Sequence, residues 1–510
     1  MQAARVLLAA ALTVCAAAVA ACGSDEGDPL SPLARVASLT LVPDSPAVFA
    51  GTTLRLSVVA RDEAGVAVSG VHPEWSTSDA AVATIDSTGL VEGVGAGVTT
   101  VVARAGEISH SAPVLVGGTR SSDRLLSGGS TFVNHEEPYL VLDGGTVYVT
   151  WKELSTTGAN RRVAIVRSDD AGQSWTQPRS LAMHVHPDSG TQTDPWLAVG
   201  PTGVLHALHL EYAPETSRLV YARSETAGET WTEPRNVDDQ RGFADKGVIH
   251  AGLDGSVYVA YVDHDLGPTP SRTVIRRSPD GGETWEPGRV LRRRYGTGQD
   301  SELDLAPVLA SSPTGQLYIA WWARPEFDIL FASSDDGGES WSEPVRLNTE
   351  PGNVPFWLQP VSTRPAFPSM TVDAAGTIYA VWPEYATSTW DVFFSRSDDG
   401  GGSWSAPVRL NDARLGNQWL PSVAVGADGT LHAAWYDART FQTDVAYARS
   451  TDRGSSWSPN VRVTSRSSPN PNARVSEYLG IGADAAGTAY IVWTDRRDGI
   501  DIFFARVAGG

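Results

Sequence analysis

Cysteine is almost absent from this chain of 510 residues. Its two cysteines, Cys15 and Cys22, both lie near the N-terminus. No internal disulfide can therefore form beyond residue 22, and packing and hydrogen bonds alone must hold the rest of the chain together.

Basic residues are also in short supply. The chain has 39 Lys and Arg against 59 Asp and Glu, which gives a formal net charge of −20 at pH 7. A nucleic-acid-binding surface needs a concentration of positive charge, so we expect no nucleic-acid partner. The same charge disfavours electrostatic docking on an anionic lipid surface.

Helical periodicity and long apolar runs are missing beyond the first 22 residues. The sequence also lacks a Gly-x-Ser-x-Gly nucleophile turn, a His-Glu-x-x-His metal motif and a phosphate-binding loop. We therefore expect no cofactor and no metal. What the chain has instead is 50 Gly, 32 Pro and many short β-rich runs, a composition that predicts an all-β fold.

The first 35 residues predict export and anchoring. One Arg precedes an apolar run that is too short for a stable membrane span. The run ends in Val19-Ala20-Ala21-Cys22, which resembles the lipobox of bacterial lipoproteins. The resemblance implies a signal peptide over residues 1–21, lipidation of Cys22 and a linker over residues 22–35. A plain secretory signal with an incidental cysteine is the alternative.

Residues 36–117 predict a separate small domain. Short alternating strands separated by turns are typical of a β-sandwich. The runs WSTSD from Trp75 and VATID from Val82, followed by Gly89 and Gly97, resemble the bacterial Ig-like group 2 domain. Such domains act as spacers or adhesion modules, and we expect a spacer here.

Six copies of one eight-residue motif run through the remaining residues. They follow the pattern Ser-x-Asp-x-Gly-x-Ser/Thr-Trp, with Thr226 in place of Asp in the second copy, and begin 53 to 63 residues apart. Self-similarity at this period predicts an array of one supersecondary unit. The copies are SDDAGQSW from Ser168, SETAGETW from Ser224, SPDGGETW from Ser278, SDDGGESW from Ser334, SDDGGGSW from Ser397 and STDRGSSW from Ser450.

The motif resembles the Asp box, the repeat of bacterial neuraminidases and of sialidase-like β-propellers. In that family the boxes are structural turns that lie away from the active site. The resemblance implies a propeller domain over residues 118–510. It also implies a structural role for the box aspartates, which are Asp170, Asp280, Asp336, Asp399 and Asp452.

The glycine turns of the inner hairpins predict seven blades, one more than the boxes. The last blade stops after its third strand, so we expect residues 121–126 to supply its fourth strand and close the ring. Six blades, as in catalytic sialidases, is the alternative. The turns fall at Gly145, Gly203, Gly255, Gly315, Gly376, Gly429 and Gly487.

The mouth of the channel on the face opposite the boxes is the expected ligand site. One set of acids recurs there in six of the seven units, and its regularity favours loop caps that pair with nearby Arg. A second, irregular set just before the inner strands is the better functional candidate. The regular acids are Glu153, Glu211, Asp263, Glu384, Asp437 and Asp495, and the irregular residues are Glu136, Glu137, Asp194, Asp245, Arg364, Arg474, Glu477 and Tyr478.

The sialidase resemblance implies roles for some of these residues. Sialidases grip the substrate carboxylate with a cluster of Arg and use a Tyr nucleophile activated by Glu. The corresponding candidates are Arg324, Arg364 and Arg474 for substrate binding, and Tyr478, Glu477, Glu137 and Asp194 for catalysis.

The chain departs from the sialidase pattern in the first blade. Family enzymes carry an Arg-Ile-Pro motif there, whereas this chain has HEEPY from His135. A seventh blade would also widen the channel. Both departures weaken the expectation of sialidase activity.

The sequence therefore predicts a lipid-anchored bacterial protein of the cell envelope or cell surface, a monomer held at the membrane by its lipid. We expect its propeller to engage a glycan, sialylated or not. An exo-α-sialidase type of glycoside hydrolase is the first alternative, and a non-catalytic scaffold for a surface protein is the second.

Overall fold

The computed structural model describes residues 32–508 with internal gaps. The residues left out inside that range are 45, 157–159, 182–183, 186–190, 214–215, 239–242, 265–271, 294–304, 324–326, 353, 355–366, 387, 414, 440–441 and 470–477. In the described part, no helix is long and apolar enough to cross a membrane.

The N-terminal domain is a two-sheet β-structure that follows a short 3-10 helix at Pro32–Arg35. One sheet pairs β1 with β4, and the other has the order β3-β7-β2-β9-β8-β5, with β6 paired to β7. Val91, Val101 and Val114 are fully buried in the apolar core of this domain. The strands are β1 (Ser38–Val42), β2 (Ala47–Ala50), β3 (Thr53–Arg55), β4 (Ser57–Arg61), β5 (Glu74–Thr77), β6 (Ala83–Ile85), β7 (Leu90–Gly93), β8 (Gly97–Ala105) and β9 (Ile108–Thr119).

The remaining described strands form seven groups of four antiparallel strands, which we call units 1 to 7. Unit 7 takes its fourth strand from β10 (Arg124–Leu125), and one parallel bridge between Ser217 and Phe243 joins units 2 and 3.

The strands of each unit, given from first to fourth, are as follows. Unit 1 has β11 (Asn134–Asp143), β12 (Thr146–Leu154), β13 (Arg161–Ser168) and β14 (Arg179–Ser180); unit 2 has β15 (Thr191–Val199), β16 (Leu205–Ala213), β17 (Thr216–Ser224) and β18 (Arg235–Asn236). Unit 3 has β19 (Phe243–Ala251), β20 (Val257–His264), β21 (Arg272–Ser278) and β22 (Arg289–Arg293); unit 4 has β23 (Leu305–Ser311), β24 (Leu317–Ala323), β25 (Asp328–Ser334) and β26 (Val345–Arg346). Unit 5 has β27 (Ser369–Val372), β28 (Ile378–Ala386), β29 (Thr389–Ser397) and β30 (Val408–Arg409); unit 6 has β31 (Gln418–Val425), β32 (Leu431–Asp437), β33 (Asp444–Ser450) and β34 (Val461–Arg462). Unit 7 has β35 (Gly480–Ala483), β36 (Ala489–Asp495), β37 (Asp501–Val507) and the borrowed β10.

The units are arranged as a closed ring. Each first strand contacts the first strand of the next unit, and β35 of unit 7 contacts β11 of unit 1. The second strands are covered by neighbouring units on both faces, which is why β24 and β36 are buried along their whole length and their sequences show no alternation. The all-β class and the propeller preceded by an Ig-like domain are confirmed.

The closing strand lies where the sequence predicted it. Arg124 and Leu125 pair antiparallel with Phe504 and Phe503 of β37, and the Leu126 N–H donates to the Ile502 carbonyl over 2.8 Å. The borrowed fourth strand is therefore confirmed, and it leaves no open edge between the first and last units.

Each Asp box closes the turn between the third and fourth strands of its unit. In the first box the Ser168 hydroxyl donates to Asp170 over 2.8 Å, and Asp170 accepts the backbone N–H and the hydroxyl of Ser174 over 2.7 and 2.6 Å. The boxes of Asp280, Asp336, Asp399 and Asp452 repeat this pattern. In the second box the Thr226 hydroxyl accepts the Thr230 N–H over 2.8 Å without a charge.

The boxes predict a loss of stability in acid. Hydrogen bonds from the Ser or Thr four residues on lower the pKa of each box Asp from 3.8 to about 2. A carboxyl whose pKa is lower in the folded state stabilises the fold above its unfolded pKa, and this contribution is lost as the pH falls from about 4 to about 2. In urea unfolding at several pH values, we expect Asp399→Thr to reduce this pH dependence.

The reverse change is available in the second box. Thr226→Asp would complete the pattern and should make the acid loss steeper. Equal pH dependence in the wild type and both variants would contradict a role of the box carboxylates in stability.

Candidate functional site

Five of the seven described first strands carry a β-bulge at the end that faces away from the boxes. The register shifts after Glu136, Thr193, Asp245, Leu305 and Trp419. The residue that follows each of these has a left-handed backbone, with φ of 60° at Glu137, 49° at Asp194, 50° at Lys246, 53° at Ala306 and 49° at Leu420. A bulge re-aims consecutive side chains. The sequence predicted the irregular residues just before the inner strands, but Glu136, Glu137, Asp194 and Asp245 lie inside them, whereas Tyr478 does precede its strand, β35.

Two of these bulges are linked by a buried carboxylate. Glu137 is 3% exposed and forms an ion pair with the Lys152 ammonium. Its other oxygen accepts the Thr193 hydroxyl over 2.8 Å and the Asp194 N–H over 2.9 Å. Glu137 of unit 1 therefore fixes the bulge of unit 2 through the backbone of Asp194.

The charges around Glu137 set its protonation state. Burial alone would raise the pKa of the Glu137 carboxyl, but Lys152, Lys246 and the Asp194 N–H outweigh it and hold that pKa well below its ordinary value of 4.5. The two acids Glu137 and Glu136 in turn raise the pKa of Lys152 against its burial. Glu137 is ionised at neutral pH, so it has no proton to donate and acts by positioning its neighbours.

The Asp194 carboxylate of unit 2 contacts unit 3 and the residues that precede unit 7. The Lys246 ammonium of unit 3 donates to both carboxylate oxygens, each at 3.3 Å. Tyr478 lies two residues before the first strand of unit 7. Its hydroxyl donates to Asp194 Oδ1 over 3.3 Å. Asp194 is only 2% exposed, so its backbone, its carboxylate and its tyrosine partner form one preorganised group.

Two aromatic rings pack against the ring of Tyr478. The Tyr478 ring lies edge-on to Trp196 with centroids 5.6 Å apart, and 5.6 Å from the Phe367 ring. The Tyr139 ring also packs against Trp196, with ring centroids 4.1 Å apart, and burial raises the pKa of the Tyr139 hydroxyl to about 12. The centre of the propeller thus combines an ionised carboxylate, a lysine and a tyrosine with a group of packed aromatic side chains.

The regular acids of the second strands have structural partners. Asp437 and Asp495 form ion pairs with Arg439 and Arg497 at 2.6 and 2.5 Å, and Glu153 pairs with Arg162 at 2.6 Å. These pairs agree with the prediction of capping acids. No group of three or more His, Cys, Asp or Glu side chains in the described ranges is arranged to hold a metal ion.

The structure brings three sequence candidates together, namely Tyr478, Asp194 and Glu137. The other candidates, Glu477, Arg324, Arg364, Arg474 and the lipidation residue Cys22, lie outside the described residues. The box aspartates are at the opposite ends of the units, in the turns after the third strands.

Lys152 and Lys246 were not predicted from the sequence. The sequence did contain a signal for Lys246. Each unit has a pair of residues near the start of its inner strand, and Lys246 is the second residue of its pair, as Glu137, Asp194 and Tyr478 are of theirs. The sequence analysis selected Asp245, the first residue of that pair. Lys152 gave no signal, since a lysine beside the regular Glu153 is typical of a solvated strand end.

Two family models match this chain. Residues 145–353 and 305–479 match the family described as BNR repeat-like domain, and residues 35–116 match the bacterial Ig-like domain (group 2). No curated protein matches the chain.

Several solved structures show some similarity to this chain. The Hadza microbial sialidase Hz136 shares 16% identity, with 82% of this chain and 75% of that chain covered and a TM-score of 0.47. A protein of unknown function from Dyadobacter fermentans shares 13% identity over 77% of this chain and 99% of that chain, with a TM-score of 0.47. The α-L-arabinanase of Penicillium chrysogenum shares 15% identity, with 62% of this chain and 92% of that chain covered and a TM-score of 0.42. Because the matched repeats span more than half of the sequence, the chain belongs to the family of BNR repeat-like domain proteins.

Proposed function

We propose that this protein binds a glycan at the ring face that carries the bulges. The observation that supports this function is the meeting of Asp194 of unit 2, Lys246 of unit 3 and Tyr478, which precedes unit 7, beside the Trp196 ring. Sugar rings offer hydroxyl groups to charged side chains and C–H faces to aromatic rings, and this centre provides both.

The binding test uses glycan arrays. Asp194→Asn keeps the size of the side chain but removes the charge that holds Lys246 and Tyr478, so we expect glycan binding to fall by tenfold or more. Asp399→Thr, in a box on the opposite face, is the matched control and should bind like the wild type. Unchanged binding in Asp194→Asn would place the glycan elsewhere, and a wild type that binds no glycan on the array would favour a protein-binding scaffold.

Hydrolysis of sialosides is the second candidate function, and the Tyr478–Asp194 contact favours it. In this proposal Asp194 takes the proton of the Tyr478 hydroxyl, with which it is hydrogen-bonded, and so raises the nucleophilicity of the tyrosine oxygen. The lowered pKa of the Glu137 carboxyl argues against Glu137 as the general acid in this scheme.

The catalytic test is turnover of a fluorogenic sialoside. Tyr478→Phe should abolish turnover and leave glycan binding largely intact, since only the nucleophilic oxygen is lost. Arg364→Ala and Arg474→Ala should each weaken binding of the substrate carboxylate by about 1.5–3 kcal/mol, the value of a charged hydrogen bond. Binding without turnover in the wild type would show that the protein is not a sialidase.

The anchor is a separate proposal, which the sequence Val19-Ala20-Ala21-Cys22 supports. We expect Cys22→Ser to move the protein from the membrane to the soluble fraction without changing its melting temperature, because no disulfide is lost. Labelling with a clickable palmitate analogue tests the lipid directly. A wild type that takes up no label, or a Cys22→Ser variant that stays in the membrane fraction, would argue against lipid anchoring.

A further inference from the structure

The third strands share one position at which neighbouring units pack together. It lies three residues before the end of each third strand, and in six of the seven units the Trp of the next unit's Asp box packs against it. Trp175 meets Phe504 at 4.9 Å, and Trp285 meets Tyr221 at 5.2 Å. Trp404 and Trp457 meet Phe331 and Phe394 at 5.0 and 5.1 Å, all edge-on, and Trp231 and Trp341 pack in the clusters of Ile165 and Ile275.

Unit 6 has this position but no box to cover it. Its residue is Tyr447, and the next unit, unit 7, has no Asp box because its third and fourth strands come from opposite ends of the chain. Where a box turn would run, the end of β37 meets the end of the Ig-like domain instead. Arg120 bridges to Val507, and the Ala508 N–H donates to the Thr119 carbonyl over 2.9 Å.

The Ig-like domain places an aromatic ring at the uncovered position. Phe49 of β2 is 2% exposed, and its ring centroid lies 6.4 Å from that of Tyr447. Phe49 belongs to the same buried cluster as Val461 of β34. Val461 is 4% exposed, whereas the equivalent Val345 and Val408 of units 4 and 5 are 39% and 44% exposed.

Strand β2 is built to serve two cores. Successive side chains of a strand point to opposite faces, so Val48 packs into the core of the Ig-like domain while Phe49 packs onto the ring. Gly117 of β9 lies against the back of the Phe49 ring. All of Ala47, Val48 and Phe49 are buried for this reason.

We propose that the Ig-like domain takes the place of the seventh Asp box, with Phe49 as the substitute for the missing box tryptophan. The domain is then a fixed part of the ring and not a mobile spacer. The outer part of unit 6 depends on it for cover, as the other units depend on the boxes of their neighbours.

Hydrogen exchange of the full chain tests this proposal. Phe49→Ala should raise amide exchange in peptides covering residues 445–463 by tenfold or more and leave the equivalent peptide of unit 5, residues 392–410, unchanged. It should also lower the melting midpoint seen by tryptophan fluorescence by several degrees. That signal reports the ring, because Trp75 alone of the 17 Trp lies in residues 36–117.

The neighbour Val48 supplies the matched control. Val48→Ala removes apolar volume from the same strand on the other face, so it should raise exchange in the Ig-like domain and leave residues 445–463 protected. Equal exchange at 445–463 in the wild type and Phe49→Ala, or an equal rise in both variants, would overturn the proposal. If Phe49→Ala does not fold, Phe49→Leu serves instead. A smaller rise at 445–463 is then expected, and the absence of any rise would equally overturn the proposal.

Discussion

Replacement of Asp123 by Ala is expected to lower the free energy of unfolding by about 3–5 kcal/mol, because it leaves buried charges without their partner. Asp123 is paired with Arg120 at 2.8 Å and with Arg497 at 2.6 Å, and all three side chains are at most 6% exposed. Its second oxygen also accepts the backbone N–H of Ser465 over 2.9 Å. Loss of the carboxylate therefore disturbs the entry to the closing strand, unit 7 and the end of unit 6 together.

The effect of Asp123→Ala can be measured by urea unfolding at pH 7 and compared with Asp398→Ala. Asp398 also forms an ion pair, with Arg453 at 2.7 Å, but it is half exposed. An exposed pair contributes at most about 1 kcal/mol. If the two variants unfold at the same urea concentration, the Asp123 cluster does not hold the ring closed.

Gly401→Ala is expected to cost about 2–5 kcal/mol of folding free energy, the sum of backbone strain and overpacking. Gly401 lies in the fifth box with a φ of 94°, a conformation that an L residue with a side chain rarely adopts. A methyl group at this position would also overlap the ring of Phe331, the third-strand residue of the preceding unit. Thermal and urea unfolding measure the loss.

Gly376 separates the two causes. It has a similar φ of 87°, but nothing lies within 4 Å of the place its methyl group would take. Gly376→Ala should therefore cost only the backbone term, about 1–2 kcal/mol. Similar losses in the two variants would show that close packing of the box on its neighbour contributes little.

The parts of the fold that sequence could predict are those fixed by local chemistry. A box turn is closed by a Ser, an Asp and a second Ser or Thr within seven residues, so each box can be found from its own letters. The closing strand was predictable for a related reason, because the last unit lacked one element and residues 121–126 had the matching pattern. In both cases the residues that form the element, a box of eight residues or residues 121–126, carry the pattern that predicts it.

The geometry of the candidate site was only partly predictable. Left-handed backbone is usually signalled by Gly or Asn, yet the bulges place Glu137, Asp194 and Lys246 in it, so their position inside the strands carried no signal. The ion pair of Lys246 with Asp194 and the approach of Tyr478 to Asp194 join residues 52 and 284 positions apart. Contacts of that kind depend on how the ring closes. The same holds for Phe49, whose partner Tyr447 lies near the other end of the chain.

The direct passage from the Ig-like domain into the closing strand has a mechanical consequence. Only residues 120–123 separate β9 from β10, and Arg120 and Asp123 within them are tied to unit 7. Tension applied at the N-terminal end of the chain would thus reach the ring at its closing strand. The Asp123 ion pairs and the Phe49–Tyr447 contact would bear that force before the contacts between other units do. Rupture of the Asp123 ion pairs and of the Phe49–Tyr447 contact would then set the force at which the ring opens.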